Sequence, residues 1–128
     1  MIYLNGSSYN AARVRVGASN VQGYHGTGIV SATAYTATGV KLTVAKTGMY
    51  KVSWMGARNT TSGTSGSRLY IDGAAYGSAV TTFTSSYAQS VVLTDVALTA
   101  GQEIEVWAKA GSTSYAMIVG NLIIEQTA

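Results

Sequence analysis

The stretch Thr47-Gly-Met-Tyr-Lys-Val-Ser-Trp54 alternates with a period of two. In an extended chain Tyr50, Val52 and Trp54 fall on one face, and Lys51, Ser53 and Met55 on the other. This period recurs along the sequence and restricts the fold more than any other feature. No window of about eleven residues places apolar side chains at i, i+3, i+4 and i+7 without a glycine or β-branched interruption, so no helix is expected. The alternation predicts strands over 13–16, 21–24, 29–35, 40–45, 49–57, 68–71, 75–80, 90–98, 103–109 and 116–125. Turn dipeptides separate several of them: Thr-Gly at 38–39 and 47–48, Asp-Gly at 72–73, Ala-Gly at 100–101. Short strands at intervals of about 8–12 residues imply an all-β sandwich or barrel. The chain has no proline, so one usual protection of edge strands is missing and the edges need another cover.

A length of 128 residues is that of one domain. With 47% apolar residues a substantial core is possible, whereas charged residues make up only 10%, well under the usual quarter. Ser, Thr, Asn and Gly supply the polar surface, a composition of extracellular β-proteins rather than of cytosolic enzymes. The net charge of +3 is spread along the chain and lacks the Lys and Arg clusters of a nucleic-acid footprint. No cysteine is present, so neither a disulfide framework nor a thiolate metal site is available. No apolar run approaches the length of a membrane span, and Met-Ile-Tyr-Leu-Asn-Gly does not read as a signal peptide. Residues 1–20 read as a short β segment or tether of the same unit, and 21–128 as the head domain. Thr60-Thr-Ser-Gly-Thr-Ser-Gly-Ser67 reads as a solvated loop or a binding loop. Thr81-Thr-Phe-Thr-Ser-Ser-Tyr-Ala-Gln89 adds Phe83 and Tyr87, as core plugs or ligand contacts.

Chemistry is sparse. His25, the only histidine, has no carboxylate near it in sequence and reads as a loop residue of His-Gly-Thr-Gly. Glu103 and Glu105 share a strand face. In principle they form a glycosidase pair, but a solvent-facing strand with Ile104 and Val106 inward is the plainer account. Asp72-Gly is a hairpin turn, and no Asp-rich loop suggests calcium. Trp54 and Trp107 sit mid-strand and read as core. Tyr24, Tyr35, Tyr76 and Tyr115 lie near strand ends, where a tyrosine rims the core or stacks on a sugar and donates a hydrogen bond. No catalytic residue, metal or cofactor is expected.

Four segments in order resemble the tumour-necrosis-factor-like jelly roll, the family that includes the globular head of complement's first component. They are Thr47–Trp54, Leu69-Tyr-Ile-Asp-Gly-Ala-Ala-Tyr76, Val91-Val-Leu-Thr-Asp-Val-Ala-Leu-Thr-Ala-Gly-Gln-Glu-Ile-Glu-Val-Trp107, and Tyr115-Ala-Met-Ile-Val-Gly-Asn-Leu-Ile-Ile124. Gln102 stands where the family has Asp, and Val119 where Phe is usual. The resemblance implies a two-sheet antiparallel jelly-roll sandwich packed as a homotrimer. On that alignment Lys51, Ser53, Met55, Val91, Leu93, Asp95, Ile118 and Gly120 face neighbouring subunits, with Lys51 and Asp95 paired between chains. The polar, cysteine-free character is similar to tip domains of bacteriophage tail fibres and receptor-binding proteins.

The resemblance thus implies a trimeric virion tip, acting extracellularly on a host-surface saccharide or protein, without nucleic acid or membrane insertion. Tyr24, His25, Arg58, Tyr87 and Tyr115 are the expected ligand contacts. The alternatives are a purely structural trimerisation domain of a virion or spore surface and a monomeric secreted carbohydrate-binding module. An enzyme is the least favoured reading.

Overall fold

The computed structural model describes residues 20–58, 65–81 and 89–128. The 13–16 strand, residues 1–19, most of the 60–67 loop, Phe83 and Tyr87 lie outside the described residues. Eight strands form: β1 (Val21–Val30), β2 (Thr36–Thr43), β3 (Gly48–Arg58), β4 (Gly66–Ile71), β5 (Ala74–Ala75), β6 (Gln89–Leu98), β7 (Glu103–Lys109) and β8 (Met117–Gln126). They make two antiparallel four-stranded sheets in the orders β1-β8-β3-β6 and β2-β7-β4-β5. This is a jelly-roll sandwich, the expected fold class.

The core lies between the sheets, where each strand sends alternate side chains inward. Tyr50, Val52 and Trp54 of β3 are buried, as their period predicts, and meet Leu69 of β4 and Ile104, Val106 and Ala108 of β7. A polar contact crosses this core: Trp54 Nε1–H donates to Ser67 Oγ at 2.9 Å, tying β3 of the first sheet to β4 of the second. Ser65 and Ser67, expected in a solvated loop, are instead buried. Tyr50 keeps its hydroxyl satisfied at the other end, accepting from Asn20 Nδ2 at 3.0 Å and donating to the Lys46 carbonyl.

Two strands change parity partway, and this corrects the outward set expected on β6. Val52 pairs with Leu93 and Tyr50 with Val96, so β6 spends one residue more than β3 between these pairs. The extra residue sits at a bulge, where Asp95 has φ of 56°. Before the bulge odd-numbered side chains point inward: Val91 is in the core with 7% exposure, and Leu93 packs against the core. Val92, not Val91 or Leu93, is the outward residue, opposite Ser53. After the bulge Val96 and Leu98 take over the core. On β8 the same switch occurs at Asn121, with φ of 53°, so that Met117 and Val119 are inward before it, and Leu122 and Ile124 after it.

Two further expectations change. His25-Gly-Thr-Gly is not a loop but the middle of β1, which runs unbroken from Val21 to Val30 with a register shift between Tyr24 and Thr27. The predicted 75–80 strand shrinks to Ala74–Ala75, followed by an isolated Ser67–Val80 bridge.

Two stability outcomes follow. Ser67→Ala leaves the Trp54 indole N–H buried without its acceptor and is expected to cost about 1–3 kcal/mol in denaturant unfolding. Asp95→Val forces a β-branched residue into the left-handed region and is expected to cost about 1–3 kcal/mol, whereas Asp95→Gly costs less because glycine adopts that backbone freely.

Candidate functional site

The outer face of the second sheet is fixed by what β7 buries. Ile104, Val106 and Ala108 point into the core, so Glu103, Glu105, Trp107 and Lys109 must point away from it. On β4 the inward Ser67 and Leu69 likewise send Arg68 and Tyr70 outward. Trp107 is therefore not a core residue, unlike Trp54. The register sets Arg68 opposite Trp107 and Tyr70 opposite Glu105. Tyr70 thus lies diagonally across from Trp107, within reach of a large ring. The two rings stack nearly parallel, with centroids 4.0 Å apart and planes 6° from coplanar.

Tyr35 extends this aromatic strip. It precedes β2 and its hydroxyl reaches Gly66 at the start of β4, where a Cβ would lie only 2.4 Å from that oxygen. Glycine at 66 is what lets the phenol cross the backbone. Lys109 Nζ sits 5.6 Å from the Tyr35 ring centroid, within cation–π range. Burial pushes the Tyr35 hydroxyl above its ordinary value of 10.0, with Arg68 lowering it and Tyr70 raising it.

The acids of this face are already engaged. Glu103 pairs with Lys41 at 3.4 Å. Glu105 accepts the Gly39 N–H at 2.8 Å. Asp72 accepts the Glu103 N–H at 2.9 Å. Glu103 and Glu105 do share a face, with Ile104 and Val106 inward, and both brace the sheet. Arg68 donates to the Gly77 carbonyl and, with Lys109, borders the aromatic strip. Among the described residues no three His, Cys, Asp or Glu side chains converge as metal ligands.

The outer face of the first sheet is different in kind. A hollow of about 420 Å³ is lined by His25, Ser53, Met55, Ser90, Asn121 and Ile123. A second, of about 190 Å³, adjoins it at Met55, Ala57, Ile118 and Gly120. The imidazole of His25 is the exposed ring of the larger hollow among the described residues, and neither hollow presents a Tyr or Phe ring, while Trp54 at the edge is turned into the core.

The expected ligand contacts do not assemble into one site. His25 joins the larger hollow, while Tyr24 pairs with Leu122 and so lies toward the other face of β1. Arg58 ends β3 opposite Met117, and Tyr115 stands two residues before Met117, so these two share one end of the sandwich. Of the expected subunit-facing set, Lys51, Ser53, Met55 and Ile118 do lie on the outer face. Gly120 also follows that parity but is buried beneath Thr27. Within the chain Lys51 pairs with Glu125 at 3.2 Å. Tyr35, Arg68, Tyr70, Trp107 and Lys109 were missed as a group. Their signal was parity, since an outward Glu103 and Glu105 commit Trp107 and Lys109 to the same side.

No family model matches the sequence, and no curated protein sequence is significantly similar. Solved structures do share the fold. The CBM36-1 domain of a multidomain xylanase from the hindgut metagenome of Trinervitermes trinervoides has a TM-score of 0.61 at 14% identity, over 85% of this chain and 99% of that domain. A family 35 carbohydrate binding module from Clostridium thermocellum has a TM-score of 0.57 at 13% identity, over 84% and 99%. A Podospora anserina GH26-CBM35 beta-(1,4)-mannanase has a TM-score of 0.53 at 18% identity, over 84% of this chain but 28% of the mannanase. At these identities the likeness is one of fold. It places the chain among jelly-roll sandwiches, without support for the tumour-necrosis-factor-like or tail-fibre families in particular.

The Tyr35 hydroxyl is buried and, among the described residues, has no hydrogen-bond partner. Tyr35→Phe is therefore expected to leave stability at neutral pH unchanged or slightly higher. The folded state holds the phenolic proton more tightly than the unfolded chain. Its contribution is complete below the ordinary value of 10.0 and is lost as pH rises through the folded value. Melting temperature against pH should thus fall less steeply above pH 10.0 in Tyr35→Phe than in the parent.

Proposed function

We propose that this chain is a non-catalytic, saccharide-binding β-sandwich module, and that the stacked Tyr70–Trp107 pair is its binding surface. The carrying observation is a coplanar aromatic pair on the open face of a sheet, bordered by Arg68, Lys109 and Glu105. Sugar rings present flat C–H faces that pack on aromatic rings, and hydroxyls that take hydrogen bonds from groups at the edge. Tyrosine and tryptophan suit such half-wet contacts because one part of the ring system is apolar and the other polar. An open sheet face admits a polysaccharide chain lying across the strands. The fold neighbours include a family 35 carbohydrate binding module and the CBM36-1 domain of a xylanase, which supports the reading.

A second reading draws on the first sheet. A homotrimeric virion tip that grips a host-surface saccharide outside the cell needs an apolar sheet face to pack around its axis. Val21, Ile29 and Val92 supply exposed apolar surface there. The module reading is the better supported, because the sandwich neighbours include a family 35 carbohydrate binding module and a GH26-CBM35 mannanase.

The test is affinity electrophoresis and calorimetry with soluble xylan, β-mannan and a panel of other polysaccharides. Binding to at least one is expected, with quenching of Trp107 fluorescence. Trp107→Ala should weaken it at least about tenfold, or about 1.4 kcal/mol, and His25→Ala should leave it unchanged. Equal retardation of the parent and Trp107→Ala would remove the platform from the account. Retardation by no polysaccharide would remove saccharide binding.

A further inference from the structure

The described large apolar side chains that stand exposed are Val21 at 57%, Tyr24 at 37%, Ile29 at 64% and Val92 at 53%. All four lie on β1 and β6, the two edge strands of the first sheet, and none on the second sheet. Tyr24 lies toward the other face of β1, and Val21 stands beside Glu125; register carries Ile29 and Val92 into rows across the outer face. Gly23, Ile123, Ser53 and Val92 make one row, and Ile29, Ile118 and Ala57 another. The face has protrusions at both rims and hollows of about 420 and 190 Å³ between them, the smaller floored by Met55, Ala57 and Ile118.

Charge on this face gathers at one end. Lys51 and Glu125 pair across β3 and β8 at 3.2 Å, each about half exposed. Asp95 sits in the β6 bulge opposite Lys51. The same end therefore offers an ammonium and carboxylates, a pattern complementary to itself when two copies meet. Among the described residues it has no cluster of cations to draw anionic lipid headgroups, and the hollows offer no Tyr or Phe ring to stack a sugar. Apolar knobs, a smaller apolar hollow beside a larger one of mixed polarity, and a two-signed charged end are what a surface needs to pack against its own copy. In a pair the contact is the same patch twice, and in a ring it is two parts of that face.

We propose that the outer face of the first sheet is an interface between copies of this chain. Ile29 and Val92 seat in the hollows of a neighbouring copy, and Lys51 faces that neighbour's Glu125. The interface uses the sheet opposite the Tyr70–Trp107 pair, and it stands whether or not that pair binds a saccharide.

Light scattering after size exclusion, over a concentration series, tests it. The expected mass is a multiple of the 13.2 kDa chain. Ile29→Glu and Val92→Glu should each return it to one chain with the β-sheet circular dichroism intact. Lys51→Glu should weaken association about tenfold or more, and the exchange Lys51→Glu with Glu125→Lys should restore it. If the glutamate variants misfold, methyl signals of Ile29, Ile118 and Met55 in the parent report instead, by shifting with concentration. A parent that stays a single chain up to about 1 mM overturns the interface. So does association that ignores Ile29→Glu and Val92→Glu together, or a single chain whose methyl signals move only on adding neutral lipid vesicles.

Discussion

A strand between a core and an open face hands out its side chains alternately, and everything in this molecule depends on how that alternation is kept or broken. An unbroken β7 buries Ile104, Val106 and Ala108 and must then present Glu103, Glu105, Trp107 and Lys109 together. β6 and β8 break the alternation once each, at Asp95 and Asn121, in the left-handed backbone that a bulge requires. Without those breaks β6 could not supply both Val91 and Val96 to one core, because five positions apart they would face opposite sides. Each bulge costs some backbone strain and a lost pairing. Each is held by the apolar residues on either side, which reach the core only because the bulge is there.

The core itself joins two layers that have little else in common. Tyr50, Val52 and Trp54 pack on Leu69, Ile104 and Val106, and one hydrogen bond from Trp54 to Ser67 fixes how β3 sits over β4. Apolar packing is tolerant of small slides between sheets, whereas a buried indole N–H accepts only a partner at the right distance. The β4 strand thus held is the one that carries Arg68 and Tyr70 outward. Register within the second sheet then sets Tyr70 diagonal to Trp107 and produces the stack. The buried polar contact and the exposed aromatic pair are two sides of one short strand.

Much of this was legible in the residues. The all-β class, the turns at 72–73 and 100–101, and the inward trio Tyr50, Val52 and Trp54 follow from period two and from Gly positions. Val91 and Leu93 were misplaced because Thr94-Asp95 looks like any polar pair in a strand, and a bulge leaves no fixed residue signature when it uses Asp instead of Gly. His25-Gly-Thr-Gly looked like a loop because glycines punctuate it, yet pairing with β8 carries β1 straight through. The aromatic strip was hidden for another reason. Tyr35, Tyr70 and Trp107 are far apart in sequence and meet only through the β2-β7-β4 order of the second sheet. Parity alone could place Trp107 outside; no local pattern could place Tyr70 beside it.

The two open faces answer different physical demands, and the sandwich keeps them apart. A face with apolar knobs and no Tyr or Phe ring in its hollows gains most by being covered, since exposed Ile29 and Val92 are costly in water. An aromatic face with its acids already engaged gains by meeting a ligand that supplies hydroxyls. If copies join through the first sheet, their Tyr70–Trp107 pairs point away from the junction and stay open. Several weak sites on one rigid assembly then act on one polysaccharide, and the second contact forms at an effective concentration set by the spacing of the copies. A shallow platform that holds a single sugar ring weakly is then sufficient, because the assembly multiplies its grip without any deeper pocket.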